Sequence, residues 1–491
     1  MTSVTDPTDR ELAQQWKDID WTNVEKTVNN LQFRIASAAK KNDWKSVNKL
    51  SRLLTNSYYA KLWAVRKVTS NRGSRSPGID GVAWISNADK MRAALSLTKK
   101  GYHARPLKRR YIPKKNGKAR PLSIPTMYDR AMQTLYALAL SPIESVTSDK
   151  TSFGFKPYRS TKDAYAYLFI CLSKKTSAQW VVEGDIKACF DEISHDWILK
   201  NVPMNKKVLT EFLKAGYIEN FQLFPTQKGT PQGGSISPLI ANITLNGIEK
   251  ALGEKFHSKK DGTIDKTANN NHKVNYVRFA DDFIISADSK ETAHEIINII
   301  REFLEPRGLK LSEEKTYVTH IMDGFTFLGW TFRKFNGKLL IKPSKESQES
   351  IIAKIREVIR RGRAWSQDRL IEELNPIIQG WAQYHNHAVS SKIFSKLDHI
   401  VFNMLRSWAK RRHSNKGVWW TINKYWHTHN GRKYVFSTKT QTLELFSNTK
   451  IVRQRFAKLD KNPFLDKEYF ENWKNQEYFR KKTHQSTTIL S

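Results

Sequence analysis

A pair of adjacent acids, Asp281 and Asp282, lies between two short runs of β-branched and aromatic residues. The runs cover residues 276–279 and 283–286, and their composition favours two strands joined by a tight turn that carries the acids. Two neighbouring carboxylates repel each other, so the pair is unfavourable unless a cation lies beside it. A bound divalent metal ion is one explanation. An exposed surface turn is the other, because Asp is common in turns.

The chain carries a large positive charge, with 83 Lys and Arg against 47 Asp and Glu and a net charge of +36. Such an excess is typical of proteins that bind polyphosphate. A surface for anionic lipid is the alternative, but no apolar run approaches the roughly 20 residues of a membrane-spanning helix. The amino terminus also lacks the basic-then-apolar order of a secretory signal. We therefore expect a cytoplasmic protein that acts on nucleic acid without membrane contact.

The cysteines and histidines of the sequence are not spaced as they are in metal-binding motifs. Cys171 and Cys189 lie in apolar or strand-like sequence, which excludes a disulfide framework and a zinc site built from paired cysteines. His385 and His387 are close in sequence, but no further ligands accompany them. We expect these two histidines to be polar surface residues or residues that face RNA.

A third carboxylate, Asp185, follows a segment with the composition of a buried strand, residues 179–184. A strand end allows an acid to contact solvent or metal while the strand itself is buried. Further on, residues 229–238 combine glycines, which permit close backbone approach, with Pro238 in the first turn of a predicted helix. Such a loop and helix can pack against a base pair.

Asn116-Gly117 lies between two basic segments and predicts a cationic hairpin. A hairpin of this kind can fold over a triphosphate, with Lys114 and Arg120 as candidate ligands. A basic surface hairpin is the alternative. After it, a helix is predicted over Asp129–Leu140, ending near Pro142 because proline disrupts a helix interior.

Both flanks of the chain are predicted to be helical and basic. Residues 34–75 contain eleven Lys and Arg against a single acid; a solvated face is the alternative to a nucleic-acid surface, which the net charge favours. From residue 343 apolar residues again keep helical spacing. Residues 401–435 contain eight Lys and Arg, no acid and four tryptophans, which suit either a core or base stacking. Residues 436–491 show little periodicity.

The element order, with strands that carry acids separated by helices, predicts an α+β fold in which helices pack behind a sheet. At this level the chain resembles the bacterial group II intron-encoded reverse transcriptases and maturases over almost its whole length. The resemblance is carried, in the order found in that family, by the Asp185 strand, residues 229–238, 279–282, 307–316 and 324–330.

The resemblance implies a right-hand polymerase, with fingers and a palm built on an antiparallel sheet, followed by an α-helical thumb. Residues 1–75 would form an amino-terminal extension, residues 76–340 the fingers and palm, and residues 341–435 the thumb, which doubles as the maturase region. Residues 436–491 would match the DNA-binding segment. The nuclease domain of many members contains cysteines that this chain lacks, so we expect no nuclease.

The resemblance also implies roles for individual residues. The palm carboxylates would be Asp185, Asp281 and Asp282, which with Ile186 hold two Mg²⁺ ions roughly 4 Å apart. The incoming deoxynucleotide would be contacted by Lys114, Arg120, Ile186, Phe190, Gln232 and Lys315. Among these, Phe190 would screen the 2′ side of the sugar, and Gln232 would lie against the nascent base pair. Intron RNA would be bound by Arg34, Arg66, Arg72, Arg360, Arg361, Arg363, Lys410, Arg411 and Arg412.

The sequence therefore predicts an RNA-directed DNA polymerase that binds a group II intron RNA, promotes its splicing and copies it at a DNA target. No obligatory protein partner is expected. One departure is Phe279, where the family commonly has tyrosine; it removes a hydroxyl but no metal ligand. Two alternatives are an RNA-binding splicing cofactor whose polymerase has decayed and a reverse transcriptase used in defence or diversification. The intact acids argue against the first, and the long basic thumb argues against the second.

Overall fold

The computed structural model describes residues 7–113, 117, 119–267, 269–429 and 431–486. Its α-helices are α1 (Asp9–Lys17), α2 (Trp21–Lys40), α3 (Trp44–Asn56), α4 (Tyr58–Thr69), α5 (Asn87–Ser96), α6 (Met127–Thr147), α7 (Thr161–Leu172), α8 (Cys189–Glu192), α9 (His195–Asn201), α10 (Lys206–Lys214), α11 (Ser237–Leu245), α12 (Ile248–Phe256), α13 (Lys290–Leu304), α14 (Lys345–Arg361), α15 (Gln367–His385), α16 (Ser391–Arg412), α17 (Val418–Tyr425) and α18 (Lys467–Ser486). In the described residues, no helix is both long and apolar enough to cross a bilayer.

The β-strands are β1 (Leu107–Pro113), β2 (Ala119–Ile124), β3 (Trp180–Asp185), β4 (Tyr217–Glu219), β5 (Gln222–Phe224), β6 (Asn275–Phe279), β7 (Asp282–Ala287), β8 (Tyr317–His320), β9 (Phe325–Phe327), β10 (Trp330–Phe335), β11 (Lys338–Pro343), β12 (Trp426–His429) and β13 (Arg432–Phe436). The chain forms two compact units. Unit 1 contains the residues up to Ser160, Val182–Val318 and Ala457–Glu477. Unit 2 contains Thr161–Val181, Thr319–Phe456 and the end of α18 from Tyr478.

The sheet that carries the predicted acids has the strand order β6-β7-β3-β8. Strands β6 and β7 pair antiparallel, with Phe279 opposite Asp282, which confirms the predicted hairpin. The centres of β3 and β7 are buried, as their β-branched and aromatic residues require. Because β3 is the neighbour of β7, Asp185 at the end of β3 lies at the same edge as the hairpin turn.

A second sheet in unit 1 carries the basic hairpin and has the order β2-β1-β4-β5. Strand β1 pairs antiparallel with β2, so that Ile112 lies opposite Arg120, and it pairs in parallel with β4. The predicted hairpin is therefore confirmed on both sides of its turn. Lys114 and Asn116 at the turn lie outside the described residues.

Helix α6 runs through a proline. We expected this helix to end near Pro142, and the prediction is wrong, since α6 continues to Thr147 with Pro142 buried inside it. A proline cannot donate to the carbonyl four residues earlier, which here belongs to Leu138. The side-chain amide of Gln32 in α2 donates to that carbonyl at 2.7 Å. Packing of α2 against α6 thus replaces the missing main-chain hydrogen bond.

The segment after residue 456 returns to unit 1 and ends in helix α18, although its sequence shows little periodicity. Phe470 is 1% exposed, and its ring centroid lies 4.6 Å from that of Tyr158. The side-chain amide of Asn462 donates to the carbonyl of Ser145 at 3.0 Å. These contacts, rather than the helix's own amphipathicity, attach the segment to unit 1.

Unit 2 has a helical core in which α14, α15 and α16 pack together. His385 and His387 belong to this unit, and our expectation that they lie on the surface is wrong, because they are 1% and 7% exposed. The ring centroid of His385 lies 4.3 Å from that of Trp381, and the ring centroid of His387 lies 4.3 Å from that of Tyr165. Burial, together with the positive charge of Lys162, lowers the pKa of each histidine to about 3. Both are neutral core residues.

Candidate active site

The two acids of the hairpin occupy its turn. Asp281 lies in the turn, and Asp282 is the first residue of β7. The residue before them, Ala280, has a φ of +60°, which is uncommon for a residue other than glycine. The turn therefore needs outside support to hold its shape.

That support comes from a buried arginine and a glycine that we did not predict. The guanidinium of Arg278, which is fully buried, donates to the carbonyl of Ala280 at 3.0 Å and to Oδ1 of Asn242 at 3.2 Å. A Cβ on Gly154 would lie 2.3 Å from the Ala280 nitrogen, so only glycine fits there. Asn242 also donates to the carbonyl of Gly154 at 3.0 Å. The one sequence signal was an arginine at an inward-facing position of a buried strand.

The third acid is held between the hairpin and a later segment. The main-chain carbonyl of Asp185 accepts from the nitrogen of Ser312 at 2.8 Å. Its side chain is 15% exposed, and its Oδ2 lies 2.7 Å from the ammonium of Lys315, whose side chain is 65% exposed. The structure thus brings together Asp185 and Lys315, which are separated by 130 residues in sequence.

The acids interact strongly with one another. Burial, then the charges of Asp281 and Asp185 and a hydrogen bond with the Asp185 carboxyl, raises the pKa of Asp282 to about 7. Burial and the charge of Asp185 also raise the pKa of Asp281, whereas the nearby charges of Arg120 and Lys315 lower it. A hydrogen bond between two carboxyl groups requires a proton on one of them. The cluster is therefore short of positive charge even with two basic side chains beside it.

The residues fit a hard divalent cation. Their donors are carboxylate oxygens, the ligands that Mg²⁺ prefers, and the carboxylate of Asp185 already binds one cationic group, the ammonium of Lys315. Within the described part of the chain, no three His, Cys, Asp or Glu side chains are already arranged to hold a metal ion. The carboxylates of Asp185, Asp281 and Asp282 would hold such an ion, and its positive charge would stabilise their ionised forms.

Two further predicted residues lie in neighbouring segments of unit 1. Phe190 belongs to the short helix α8, and its ring meets Phe155 edge-to-face with centroids 6.3 Å apart. The main-chain carbonyl of Gln232 accepts from the nitrogen of Ser123 in β2 at 2.7 Å. Helix α11 begins at Ser237 with a proline in its first turn, as predicted. The glycine loop is thereby fixed against the basic hairpin.

Three family models match the chain in sequence order. Residues 16–97 match the N-terminal domain of reverse transcriptase, residues 112–332 match reverse transcriptase (RNA-dependent DNA polymerase), and residues 348–426 match the group II intron maturase-specific domain. All three acids lie within the second match.

Named relatives agree with these matches. The Group II intron-encoded protein LtrA of Lactococcus lactis subsp. cremoris is 34% identical over 364 residues, which is 60% of this chain and 60% of that protein. Protein YkfC of Escherichia coli (strain K12) is 30% identical over 380 residues, 70% of this chain and 96% of that protein. The chain belongs to the group II intron-encoded reverse transcriptase and maturase family. A solved telomerase from Candida albicans is 13% identical with a TM-score of 0.35, over 67% of this chain and 65% of that one.

The arginines and lysines predicted to contact RNA are exposed, as expected of this family. In unit 1 these are Arg34, Arg66 and Arg72; in unit 2 they are Arg360, Arg361, Arg363, Lys410, Arg411 and Arg412. Several have structural partners too. Arg66 lies 4.3 Å from the Trp21 ring, and Arg412 donates to the carbonyls of Arg363 and Trp365 at 3.0 Å. Arg360 and Arg361 also form ion pairs with Glu357 and Glu373.

The four tryptophans of residues 401–435 divide into two pairs. Trp408 and Trp426 are buried, at 3% and 4% exposure, and pack in the core of unit 2. Trp419 and Trp420 on α17 are 69% and 41% exposed. Lys424 lies 4.9 Å from the Trp420 ring. The core alternative is thus realised by the first pair, whereas base stacking by the second pair stays a prediction. Helix α17 presents these two exposed rings among basic side chains.

Proposed function

We propose that this chain is an RNA-directed DNA polymerase that also binds its group II intron RNA, promotes splicing and copies the intron into DNA during mobility. The observation that carries the proposal is the convergence of Asp185, Asp281 and Asp282 at one sheet edge, beside two basic side chains. The maturase-specific match at residues 348–426 supports the RNA-binding role.

The metal site would consist of the carboxylates of Asp185, Asp281 and Asp282 with the main-chain carbonyl of Ile186, and would hold two Mg²⁺ ions. Ile186 lies opposite Leu311 in an antiparallel bridge, and the hydrogen bonds of this bridge are made by the neighbouring residues Asp185 and Lys187. In such a pair the carbonyl of Ile186 points away from the Leu311 segment. When bound, such ions activate the primer 3′ hydroxyl and stabilise the charge on departing pyrophosphate.

The basic side chains would bind the triphosphate. Lys315 is largely exposed, and among the described residues its ion pair is with Asp185, so its ammonium could transfer from Asp185 to a phosphate oxygen as the nucleotide enters. Arg120 on β2 already interacts with Asp281 and would clamp the phosphates together with Lys114. Held in this way, the nucleotide is positioned for attack without any protein nucleophile.

The remaining contacts would select the substrate. The ring of Phe190, held by Phe155, would lie against C2′ of the sugar and exclude a ribose 2′ hydroxyl. Gln232 would contact the nascent base pair from the loop fixed on Ser123. A closely packed ring and a polar amide supply steric and hydrogen-bond discrimination, respectively.

A groove in unit 1 would hold the template strand that has not yet been copied. Its volume is about 1250 Å³, and Phe155, which packs on Phe190, is part of its lining. Its lining contains both aromatic rings and ammonium groups, a combination that suits single-stranded nucleic acid. They include Phe33, Trp63, Tyr158, Lys26, Lys67 and Lys474.

We assign the domains as the family implies: an amino-terminal extension at 1–75, fingers and palm at 76–340, and thumb and maturase region at 341–435. The matches at 112–332 and 348–426 lie within the second and third of these ranges, whereas the match at 16–97 extends past residue 75. Residues 436–491 would bind target DNA in part, although residues 457–477 belong to unit 1 and line the groove. The partners would be intron RNA, target DNA and dNTPs in the cytoplasm, with no obligatory protein partner.

Two assays on the purified protein test the proposal. On an RNA template annealed to a DNA primer, with dNTPs and Mg²⁺, we expect template-dependent extension that is lost in Asp281→Asn. At low Mg²⁺, we expect the parent intron to splice faster with the protein than without it. Faster splicing without any nucleotide incorporation would instead identify a splicing cofactor whose polymerase has decayed.

A further inference from the structure

The side chain of Gln232 is held by an acid that has no role in the proposed chemistry. Its Nε2 donates to Oδ2 of Asp191 at 2.9 Å. Asp191 directly follows Phe190 in the short helix α8. Through Asp191, the amide proposed to contact the base pair is therefore linked to the segment whose ring is proposed to contact the sugar. The contact spans 41 residues of sequence, which is why no sequence motif announces it.

The two segments are also joined through their main chains. The nitrogen of Thr230 donates to the carbonyl of Phe190 at 2.6 Å, and that of Gly229 donates to the carbonyl of Ile193 at 2.7 Å. Gly229 has a φ of +81°, and a Cβ there would lie 2.6 Å from the Asp191 carbonyl oxygen. The start of the loop that carries Gln232 is therefore held directly against the Phe190 segment.

The chemistry of this contact fixes the orientation of the amide. An ionised carboxylate only accepts hydrogen bonds, so the NH₂ end of Gln232 must face Asp191 and the carbonyl end must face elsewhere. In water both ends of a free amide can turn toward a nucleotide. With Asp191 in place one orientation is selected, and a mispaired nucleotide cannot be accommodated by turning the amide over.

We propose that Asp191 is a positioning residue that joins Gln232 to the Phe190 segment, so that selection of the sugar and selection of the base are set by one rigid unit. This inference rests on the polymerase activity proposed above. It goes beyond that activity because it predicts that a single acid, remote from the metal ligands, governs two kinds of discrimination at once.

The test is steady-state incorporation of single nucleotides by the full chain, with three substrates: the correct dNTP, a mispaired dNTP and the correct rNTP. Asp191→Ala should lower both ratios of kcat/KM, correct to mispaired and dNTP to rNTP, by about tenfold, the size expected for loss of one charge-assisted hydrogen bond. Asp191→Asn, whose carbonyl can still accept from Gln232, should retain most of each ratio. A merely structural role would lower kcat for all three substrates and leave both ratios unchanged.

Two further variants make the result independent of folding defects. Gln232→Glu replaces the donor by a carboxylate that repels Asp191, so it breaks the same contact from the other side and should lower both ratios at least as much as Asp191→Ala does. Glu192→Ala is the matched control, because it removes the adjacent acid, which pairs with Lys228 at 2.5 Å; its ratios should equal those of the wild type. If Gln232→Glu or Asp191→Ala keeps the dNTP-to-rNTP ratio of the wild type, the inference is overturned. A wild type that incorporates no dNTP would instead overturn the proposed function.

Discussion

The ammonium of Lys315 lies 2.7 Å from Oδ2 of Asp185, the last residue of β3. This contact holds Lys315 beside the strand end, close to the bridge between Ile186 and Leu311. This hydrogen bond, and the charges of the other two acids, raises the pKa of Lys315. The lysine is therefore cationic at any pH at which a polymerase works. Its partner, Asp185, is a metal ligand in the proposed mechanism. In that mechanism the ion pair would open when the metal ions and the nucleotide bind.

Replacement of Lys315 tests its transfer to the nucleotide. We expect Lys315→Ala to raise KM for dNTP at least about tenfold, because a charge-assisted contact with phosphate is lost. Steady-state kinetics at saturating Mg²⁺ measures the change. Lys315→Arg, which keeps the charge, should recover part of the affinity; an unchanged KM in the alanine variant would show that Lys315 does not contact the nucleotide.

Replacement of Phe190 tests the steric selection of the sugar. Phe190→Val leaves space on the 2′ side, and we expect the preference for dNTP over rNTP to fall on the order of a hundredfold. The ratio of kcat/KM for the matching dNTP and rNTP measures it. Phe155→Leu, which alters the ring that packs on Phe190, should produce a smaller fall in the same direction. A preserved ratio in Phe190→Val would place the selection of the sugar elsewhere.

The exposed tryptophan on α17 should bind RNA bases by stacking. We expect Trp419→Ala to weaken intron RNA binding by about tenfold or more, with little change in thermal stability, since the ring is 69% exposed. Val418→Ala on the same helix is the control, because its side chain is exposed but has no aromatic face. Equal RNA affinities of the two variants would argue against stacking at Trp419.

The buried histidines of unit 2 should make its stability depend on pH. His385 and His387 have pKa values of about 3 in the folded chain and about 6.5 when unfolded. Below pH 6.5 the unfolded chain therefore takes up protons that the folded chain does not, and stability falls as pH decreases toward 3. Between pH 6.5 and 5 the loss is about 2 kcal/mol for each histidine.

Urea unfolding followed by tryptophan fluorescence at pH 7.5, 6 and 5 measures this dependence. His387→Phe should remove about half of this dependence, because it removes one of the two histidines. The substitution should break no hydrogen bond, since neither ring nitrogen of His387 has a partner in the described residues. A pH dependence identical in the variant and the wild type would contradict neutral burial of this ring.

Local patterns predicted the site better than the packing around it. The composition of residues 276–286 determined the hairpin and the place of its acids, because alternating burial and turn chemistry act over a few residues. The buried strand that ends at Asp185 was predicted for the same reason. The contacts that join these strands were not predicted. The family resemblance placed Lys315 only near the nucleotide, and its ion pair with Asp185 appears in the structure alone.

The errors arise where a distant residue overrides a local rule. Pro142 would end an isolated helix, but Gln32 supplies the hydrogen bond that it removes. His385 and His387 are polar by composition, yet they are buried against Trp330 and Tyr165, whose rings come from other segments of unit 2. Arg278 could not be recognised as the support of the turn because its partner Asn242 is 36 residues away.

Loss of one carboxylate charge tests the central claim most directly. In Asp282→Asn the side chain keeps its size, but a proposed metal ligand is removed. We expect the rate of dNTP incorporation on an RNA template to fall at least about a thousandfold, with intron RNA affinity unchanged. Asp288→Asn, at an acid just beyond β7 that contacts His272, is the matched control and should remain active. Incorporation by Asp282→Asn at a rate close to that of the control would contradict the assignment of these acids as the catalytic centre.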